Sequence, residues 1–205
     1  MKVLLINGSP HEKGCTYTAL KETAGALNKH GIETEIVWIG KGNVAGCMGC
    51  AACRKLGKCV IDDCVNAVAE KAKTADGFVF GSPVHYAAAG GAITAFMDRL
   101  FYSNGKELRY KPAAAVVSCR RGGASATFDQ LNKYFTINNM PVVSSNYWNM
   151  IHGNVAEEAL QDAEGLQTMR ILGYNMAWLL KCIELGKSAG LTPETEDKLR
   201  TNFIR

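Results

Sequence analysis

Residues 3–16 read Val-Leu-Leu-Ile-Asn-Gly-Ser-Pro-His-Glu-Lys-Gly-Cys-Thr, an apolar run that enters a loop rich in glycine and hydroxyl groups. The alanine-rich segment that follows, from Thr18 to His30, is typical of a helix. Such a strand, loop and helix start form an anion site, because loop amides and the first unpaired helical N–H groups point at one spot. The segment therefore predicts a phosphate site. A β-α turn capped only for helix stability is the alternative.

The sequence of this loop limits which class of phosphate-containing ligand it is expected to bind. It lacks the Lys-Ser/Thr ending of an NTPase P-loop and the Gly-x-Gly-x-x-Gly pattern of a Rossmann dinucleotide site. These differences argue against ATP, GTP and a Rossmann-bound dinucleotide. Ser9 and Thr16 supply hydroxyl donors, which together with backbone amides suit a monophosphate cofactor such as FMN.

Bulk composition excludes several classes of function. The chain has 205 residues, of which 47% are apolar and 20% charged, as expected for one globular domain. A net charge of +4, from 23 basic and 19 acidic residues, is too weak to predict nucleic acid binding. We find no export signal and no run long enough to span a membrane, so a cytoplasmic location is predicted. There the eight cysteines should act as metal ligands or reactive thiols rather than as disulfides.

Apolar runs alternate with helical patterns along the chain. Strands are predicted at residues 3–6, 33–39, 78–80, 113–118 and 142–143. Helices are predicted at residues 18–30, 64–74, 91–101, 124–135 and 157–187, with Cys182 in a helix core and a last short helix from Thr192-Pro193. This alternation predicts an α/β fold of three layers with right-handed crossovers. Ligands of such sheets bind beyond the carboxyl ends of the strands, where the strand order reverses.

Two further loops lie at this predicted edge. Residues 81–91 read Gly-Ser-Pro-Val-His-Tyr-Ala-Ala-Ala-Gly-Gly, which offers flat rings at His85 and Tyr86 and small residues for a planar heterocycle. Residues 118–123 read Ser-Cys-Arg-Arg-Gly-Gly and bring exposed amides and two arginines, which could stabilise negative charge on a reduced ring. A surface loop with a core tyrosine, and a glycine-rich helix start with solvated arginines, are the alternatives.

Three motifs carry a family resemblance. They are Gly8-Ser9-Pro10 with Gly14-Cys15-Thr16, Ala75-Asp76-Gly77 with Gly81 to Tyr86, and Phe96-Met97-Asp98-Arg99. Together they resemble the flavodoxin-like NADPH-dependent FMN reductases. The resemblance implies a flavodoxin-like three-layer sandwich with a five-stranded parallel sheet in the order 2-1-3-4-5, and FMN at its switch point.

The resemblance also implies which residues bind the cofactor. The first loop would hold the phosphate, the proline loop would border the flavin ring and the third loop would complete the site. The predicted cofactor-binding residues are Ser9, His11, Gly14, Cys15, Thr16, Ser82, Pro83, Val84, His85, Tyr86, Ser118, Arg120, Arg121, Gly122 and Gly123. Cys15 and His11 depart from the asparagine or serine and the arginine common in such loops, so a weaker grip on the phosphate is expected.

A cysteine-rich insertion at about residues 42–64 interrupts this single predicted domain of residues 1–205. Cys47, Cys50, Cys53 and Cys59 have the spacing C-x2-C-x2-C-x5-C. Four thiolates this close can converge on a [4Fe–4S] cluster, whereas structural zinc more often uses two separated C-x-x-C pairs. The run resembles the iron–sulfur flavoproteins, a branch of the same family. Reactive thiols and a redox disulfide, with Cys64 as a spare partner, remain alternatives.

These features predict an FMN-dependent NAD(P)H oxidoreductase. A nicotinamide nucleotide would reduce FMN, and the electrons would pass to a quinone, a free flavin, another small acceptor, a redox protein or the cluster. No residue is predicted as a catalytic acid or base. The alternatives are a non-enzymatic iron–sulfur electron carrier and a thiol redox sensor. The resemblance implies a homodimer or homotetramer, and residues 146–153 are predicted as a rim of the site or as a packed loop.

Overall fold

The computed structural model describes residues 1–201 and 203, so residues 202, 204 and 205 of the predicted domain lie outside the described residues. The strands are β1 Lys2–Asn7, β2 Glu33–Trp38, β3 Gly77–His85, β4 Ala88–Ala89, β5 Ala113–Cys119 and β6 Met150–His152. The helices are α1 Cys15–Lys29, α2 Cys53–Leu56, α3 Cys64–Thr74, α4 Gly91–Leu108, α5 Ala124–Ile137, α6 Ala156–Ala159 and α7 Ala163–Ser188.

Five of the strands are parallel and pair in the order β2-β1-β3-β5-β6. This is the predicted 2-1-3-4-5 order, and the flavodoxin-like fold class is confirmed. The short β4 adds a sixth, antiparallel strand that pairs with the end of β3 through Val84 and Ala89. It folds the predicted proline loop back as a hairpin at the carboxyl edge of the sheet.

Helices cover both faces of the sheet because successive side chains of a strand point to opposite sides. In β1, Leu4 and Ile6 join the apolar cluster under α3, α4 and α5. Val3 and Leu5 join the other cluster, under α1 and α7. Strands buried on both faces read as continuous apolar runs, which is why residues 3–6 lack alternation.

The predicted fifth strand at residues 142–143 is wrong. Val142 makes only an isolated bridge with Ala113, and the strand that pairs with β5 is β6, where Ile151 is fully buried. Pro141 precedes the bridge and cannot donate to a ladder, while Val142 is exposed. The chain therefore touches the sheet once, leaves it, and returns eight residues later.

The predicted helix at residues 157–187 is two helices. Asp162 interrupts it and caps α7, since its carboxylate accepts a hydrogen bond from the backbone N–H of Gly165 at 2.9 Å. Met169, Leu172 and Met176 form the buried face of α7, which packs in the apolar cluster shared with α1. Cys182, predicted to lie in the helix core, is exposed.

The predicted helix from Thr192 is absent from the described part of the C-terminal segment, residues 191–201 and 203. Leu191 and Leu199 are 69% and 94% exposed, so this segment has no apolar face packed on the domain. Short helices need such packing, because their own nucleation is unfavourable. Among the helices of residues 1–201, none combines the length and the hydropathy that crossing a membrane requires.

Candidate functional site

The loop between β1 and α1 is held in shape by its own side chains. The side-chain amide of Asn7 donates to the Glu12 carbonyl at 2.9 Å and accepts from the Ser9 N–H at 3.1 Å. The Ser9 hydroxyl accepts from the His11 N–H at 3.1 Å. Trp38, at the end of β2, donates its indole N–H to the Ser9 carbonyl at 2.8 Å. The loop between β1 and α1 is therefore fixed by contacts from two neighbouring strands, β1 and β2.

The N-terminus of α1 is free to bind an anion. Gly14 is its N-cap and makes no side-chain cap, and the first turn carries no acidic residue. This geometry disfavours the alternative of a turn capped only for helix stability. Unpaired N–H groups and the helix dipole together favour a phosphate here.

The first and third loops meet through two hydroxyl groups. The oxygens of Thr16 and Ser118 lie 2.7 Å apart, and both side chains are buried. Thr16 lies in the first turn of α1, whereas Ser118 lies near the end of β5. The parallel pairing of β1, β3 and β5 thus brings together segments separated by a hundred residues.

The proline loop is fixed from behind by Ser82. Its fully buried hydroxyl accepts the Gly90 N–H at 3.0 Å, at the start of α4, and donates to the Pro83 carbonyl at 2.7 Å. Tyr86 lies at the tip of the hairpin with φ 50°, and its side chain is 107% exposed. Ser82 therefore shapes the loop, and Tyr86 extends into solvent.

A cleft of about 490 Å³ opens between these loops at the carboxyl ends of the strands. Cofactor sites commonly have volumes of roughly 300–1,000 Å³. Ten predicted cofactor-binding residues line it: Ser9, His11, Gly14, Cys15, Thr16, Pro83, Val84, His85, Ser118 and Arg120.

The other five predicted residues lie outside the cleft lining. Arg121 and Gly122 are exposed, and Gly123 packs against Val84 and Ala87 of the hairpin. Ser82 and Tyr86 occupy the positions described above. These five residues shape or border the loops instead of facing the cleft.

One wall of the cleft was not predicted from the sequence. Residues 154–157, after β6, line the cleft next to Gly153, and Lys13 and Cys119 contribute as well. The sequence signal for this wall was the apolar pair Met150-Ile151, a short strand, followed by Gly153-Asn154. It was overlooked because the fifth strand was predicted at residues 142–143. Of the predicted rim at residues 146–153, only Gly153 lines the cleft, while Tyr147 and Trp148 are exposed and pack on each other with ring centroids 4.8 Å apart.

The cleft lining has two basic side chains, Lys13 and Arg120, and one acidic side chain, Glu157. His11 lines the cleft as well. Two cysteines also reach it, and burial raises the pKa of both the Cys15 and the Cys119 thiols. The thiol of Cys15 donates to the Gly153 carbonyl at 3.4 Å, so its hydrogen already has an acceptor. Cys15 is therefore a neutral wall residue rather than a phosphate ligand of the strength that asparagine would offer.

Comparison with known families decides the relationship of this chain. The family described as NADPH-dependent FMN reductase matches residues 1–155, which include all three loops up to β6. The chain belongs to the NADPH-dependent FMN reductase family. It is also 35% identical over 192 residues to an iron–sulfur flavoprotein of Methanocaldococcus jannaschii, a match that covers 90% of this chain and 100% of the relative.

Solved structures confirm the fold of this family member. The structure of RosB with bound 8-demethyl-8-formylriboflavin-5'-phosphate has a TM-score of 0.72 at 16% identity, and the match covers 100% of this chain and 92% of RosB. The NAD(P)H:quinone oxidoreductase of Methanothermobacter marburgensis has a TM-score of 0.66 at 14% identity, covering 86% of this chain and 96% of that enzyme. These likenesses establish a shared flavodoxin-like architecture.

The cleft of this FMN reductase family member fits FMN on its own geometry. It offers an uncapped helix N-terminus for the phosphate, and it has the volume of a cofactor site. The half-buried Pro83 and Val84 provide an apolar border for a planar ring. Flavin binding is therefore consistent with both the family and the residues present.

The cysteine segment forms a separate cavity of about 190 Å³. All four predicted ligands line it, and apolar groups of Met48, Val60, Ile61 and Tyr102 surround them. Cys64 is not part of this lining, and burial raises the pKa of its thiol. The described residues include all eight cysteines, and each is a free thiol.

The donor set of this cavity is four thiols, the ligands that an iron–sulfur cluster uses. Within residues 1–201 and 203, no three His, Cys, Asp or Glu side chains are already drawn together as metal ligands. Cys47, Cys50, Cys53 and Cys59 nevertheless face one apolar cavity, and sulfur-only ligation in such surroundings is typical of iron–sulfur clusters. The residues present therefore fit an iron–sulfur cluster, the group after which the relatives are named.

Proposed function

We propose that this protein is an FMN-dependent NAD(P)H oxidoreductase that binds FMN in the cleft at the carboxyl edge of the sheet. One observation carries the proposal: three loops from β1, β3 and β5 meet around an α1 N-terminus that no side chain caps. An anion site beside an apolar, ring-sized wall has the chemistry that recognises a flavin mononucleotide.

Each loop has a distinct part in this proposal. The α1 amides and the hydroxyls of Ser9 and Thr16 bind the phosphate, with Lys13 adding positive charge. The flavin ring lies along Pro83 to His85. Arg120 and the amides of the third loop would stabilise negative charge on the reduced ring. FMN itself supplies the electron chemistry when bound, and the protein supplies position and electrostatics.

The family description and one structural neighbour support the choice of electron donor and acceptor. The family description names NADPH as the reductant, and the neighbouring structure from Methanothermobacter marburgensis is a NAD(P)H:quinone oxidoreductase. We therefore propose a nicotinamide nucleotide as donor and a quinone-like or other small molecule as acceptor, each using the open face of the cleft.

The cysteine cavity supports a second component and a second candidate function. We propose that Cys47, Cys50, Cys53 and Cys59 bind a [4Fe–4S] cluster, because they share one apolar cavity and because the relatives are named iron–sulfur flavoproteins. The same observation favours an electron carrier that exchanges electrons with a redox protein and has little NAD(P)H oxidase activity of its own.

Assembly and location complete the proposal. Tyr174, Trp178 and Leu185 are exposed along α7 at helical spacing, which favours a homodimer or homotetramer that covers this face. All eight cysteines are free thiols, which suits the reducing cytoplasm.

One preparation tests these proposals together. Protein purified without oxygen is assayed for FMN, iron and acid-labile sulfide, and then for anaerobic oxidation of NADH and NADPH with a quinone present. We expect one FMN per chain and turnover with at least one nucleotide. Flavin without nucleotide oxidation would favour the carrier, and failure to bind added FMN would refute the cleft assignment. Cys47→Ser should remove iron while FMN remains bound.

A further inference from the structure

Arg99 is almost completely buried in α4, with 1% of its surface exposed. A guanidinium has five N–H donors, and all five have acceptors here. Two groups donate to the carboxylate of Asp63 at 2.6 and 2.9 Å, and two donate to the backbone carbonyls of Ile61 at 2.8 Å and Ala45 at 3.3 Å. The fifth, Nε–H, donates to the sulfur of Cys59 at 3.2 Å. Each end of the cysteine segment is thus tied to one side chain of the domain.

The ion pair with Asp63 explains why the Arg99 charge can be buried, but it does not explain why Arg99 also contacts the sulfur of Cys59. A buried guanidinium needs a paired anion, and the bidentate Asp63 provides it. Asp63 is itself fixed, because it caps α3 by accepting the Val65 N–H at 3.0 Å. This pairing leaves Nε–H directed at Cys59, a side chain that lines the cysteine cavity.

Cys59 is the most constrained of the four cysteines. The side-chain amide of Asn66 holds its backbone on both sides, accepting the Cys59 N–H and donating to the Cys59 carbonyl, each at 3.0 Å. Arg99 then fixes the sulfur. By contrast, Cys47 and Cys50 are exposed.

We propose that Arg99 is the positioning residue of the cysteine cavity: it orients the Cys59 sulfur and balances the negative charge of a thiolate-bound iron–sulfur cluster there. The inference rests on the proposed cluster and assigns its redox tuning to a side chain of α4. Ligand sulfurs that accept hydrogen bonds, and nearby positive charge, favour the more negative reduced state and raise the reduction potential. Partners of this kind are often worth about 10- to 100-fold in metal affinity.

The experiment compares three variants of the full-length protein after anaerobic reconstitution with iron and sulfide. Arg99→Gln should lower the cluster's reduction potential and weaken iron retention against a chelator by about 10- to 100-fold. Asp63→Asn removes a negative charge but leaves the Arg99–Cys59 contact in place, so it should shift the potential upward. Arg54→Gln is the matched control, because Arg54 lines the same cavity, is exposed, and makes no hydrogen bond to a cysteine sulfur among the residues that the structure describes.

The opposite shifts in reduction potential expected for Arg99→Gln and Asp63→Asn distinguish a redox-tuning role of Arg99 from a purely structural one. If Arg99 only supports the fold, Arg99→Gln and Asp63→Asn should both destabilise the protein and leave the potential where Arg54→Gln leaves it, which would overturn the inference. FMN binding by each variant shows that the domain has folded. Should Arg99→Gln not fold, Arg99→Lys takes its place: it keeps the charge, loses the planar donor, and should still lower iron retention.

Failure of the proposed cluster has a different signature. Wild-type protein that binds FMN but retains no iron after reconstitution would refute the cluster, and the inference with it, while leaving the flavin assignment intact. Wild-type protein with a normal cluster and unchanged potential in the Arg99 variants would refute the inference alone.

Discussion

The substitution Gly123→Ala tests how the third loop, residues 118–123, and the proline hairpin are held together. Gly123 lies between β5 and α5 with φ +90°, in the left-handed region that favours glycine. A Cβ atom there would lie 2.5 Å from the Ala87 Cα and 2.8 Å from the Val84 Cγ1 of the proline hairpin. Ordinary contacts begin at 3.4 Å, so the hairpin would have to move by roughly an ångström.

The expected loss in the free energy of unfolding of Gly123→Ala is the sum of two contributions. The left-handed conformation costs alanine about 1–2 kcal/mol. Overpacking against the hairpin backbone adds about 1–3 kcal/mol. We therefore expect urea denaturation to show a loss of about 2–5 kcal/mol in the free energy of unfolding. Because Val84 lines the cleft, FMN affinity should also fall by at least about tenfold, equivalent to about 1.4 kcal/mol.

The neighbouring residue provides the control. A Cβ on Gly122 would meet no atom within 4 Å, and its φ lies outside the left-handed region. Gly122→Ala should therefore change neither the free energy of unfolding nor the FMN dissociation constant, both measured on the same preparations. Equal behaviour of the two variants would refute the close packing of the third loop on the hairpin.

Three further predictions concern the cysteine segment and the loop between β1 and α1. Asp63→Asn should cost about 3–5 kcal/mol in the free energy of unfolding at pH 7, because it leaves Arg99 buried without its anion. Burial alone would raise the pKa of Asp63, but the Arg99 hydrogen bonds, the Val65 N–H and the Arg99 charge together lower that pKa. The contribution of ionised Asp63 to stability is therefore fully present above the ordinary aspartate pKa of about 3.9 and is lost as the pH falls through the lowered pKa. If wild type and variant differed by the same free energy of unfolding down to strong acid, this prediction would be contradicted. Thr16→Val should weaken FMN by about 1.5–3 kcal/mol in fluorescence titrations and leave riboflavin, which lacks the phosphate, nearly unaffected; an equal loss for both ligands would refute phosphate binding at α1. Trp38→Phe removes the donor to the Ser9 carbonyl and should lower the free energy of unfolding by about 1–3 kcal/mol in urea, whereas no change would mean that solvent replaces the bond.

Much of the fold is local in origin and could be read from the sequence. The apolar run at residues 3–6 and the chain between the strands define parallel strands joined by helices, and the resemblance then predicts their order. The cap of α3 is likewise local, because Asp63 directly precedes the helix and its side chain accepts the Val65 N–H. The spacing of the four cysteines predicted a shared site, and all four line one cavity.

Other features depend on contacts between distant segments, and only the tertiary structure decided them. Residues 150–152 pair as β6 with the carboxyl end of β5, whereas Val142 only bridges Ala113 at the start of β5, and the position of β6 brings residues 153–157 to the cleft. Hairpin geometry turned Tyr86 into solvent.

The contact of Arg99 with Cys59 is likewise a feature that only the tertiary structure decided. The two residues are 40 positions apart, and neither periodicity nor motif spacing relates them. The sequence determined which chemical groups each loop and helix would carry, because that information lies within a few neighbouring residues. The tertiary structure decided which groups meet, because burial and hydrogen bonding are satisfied only when distant elements pack together.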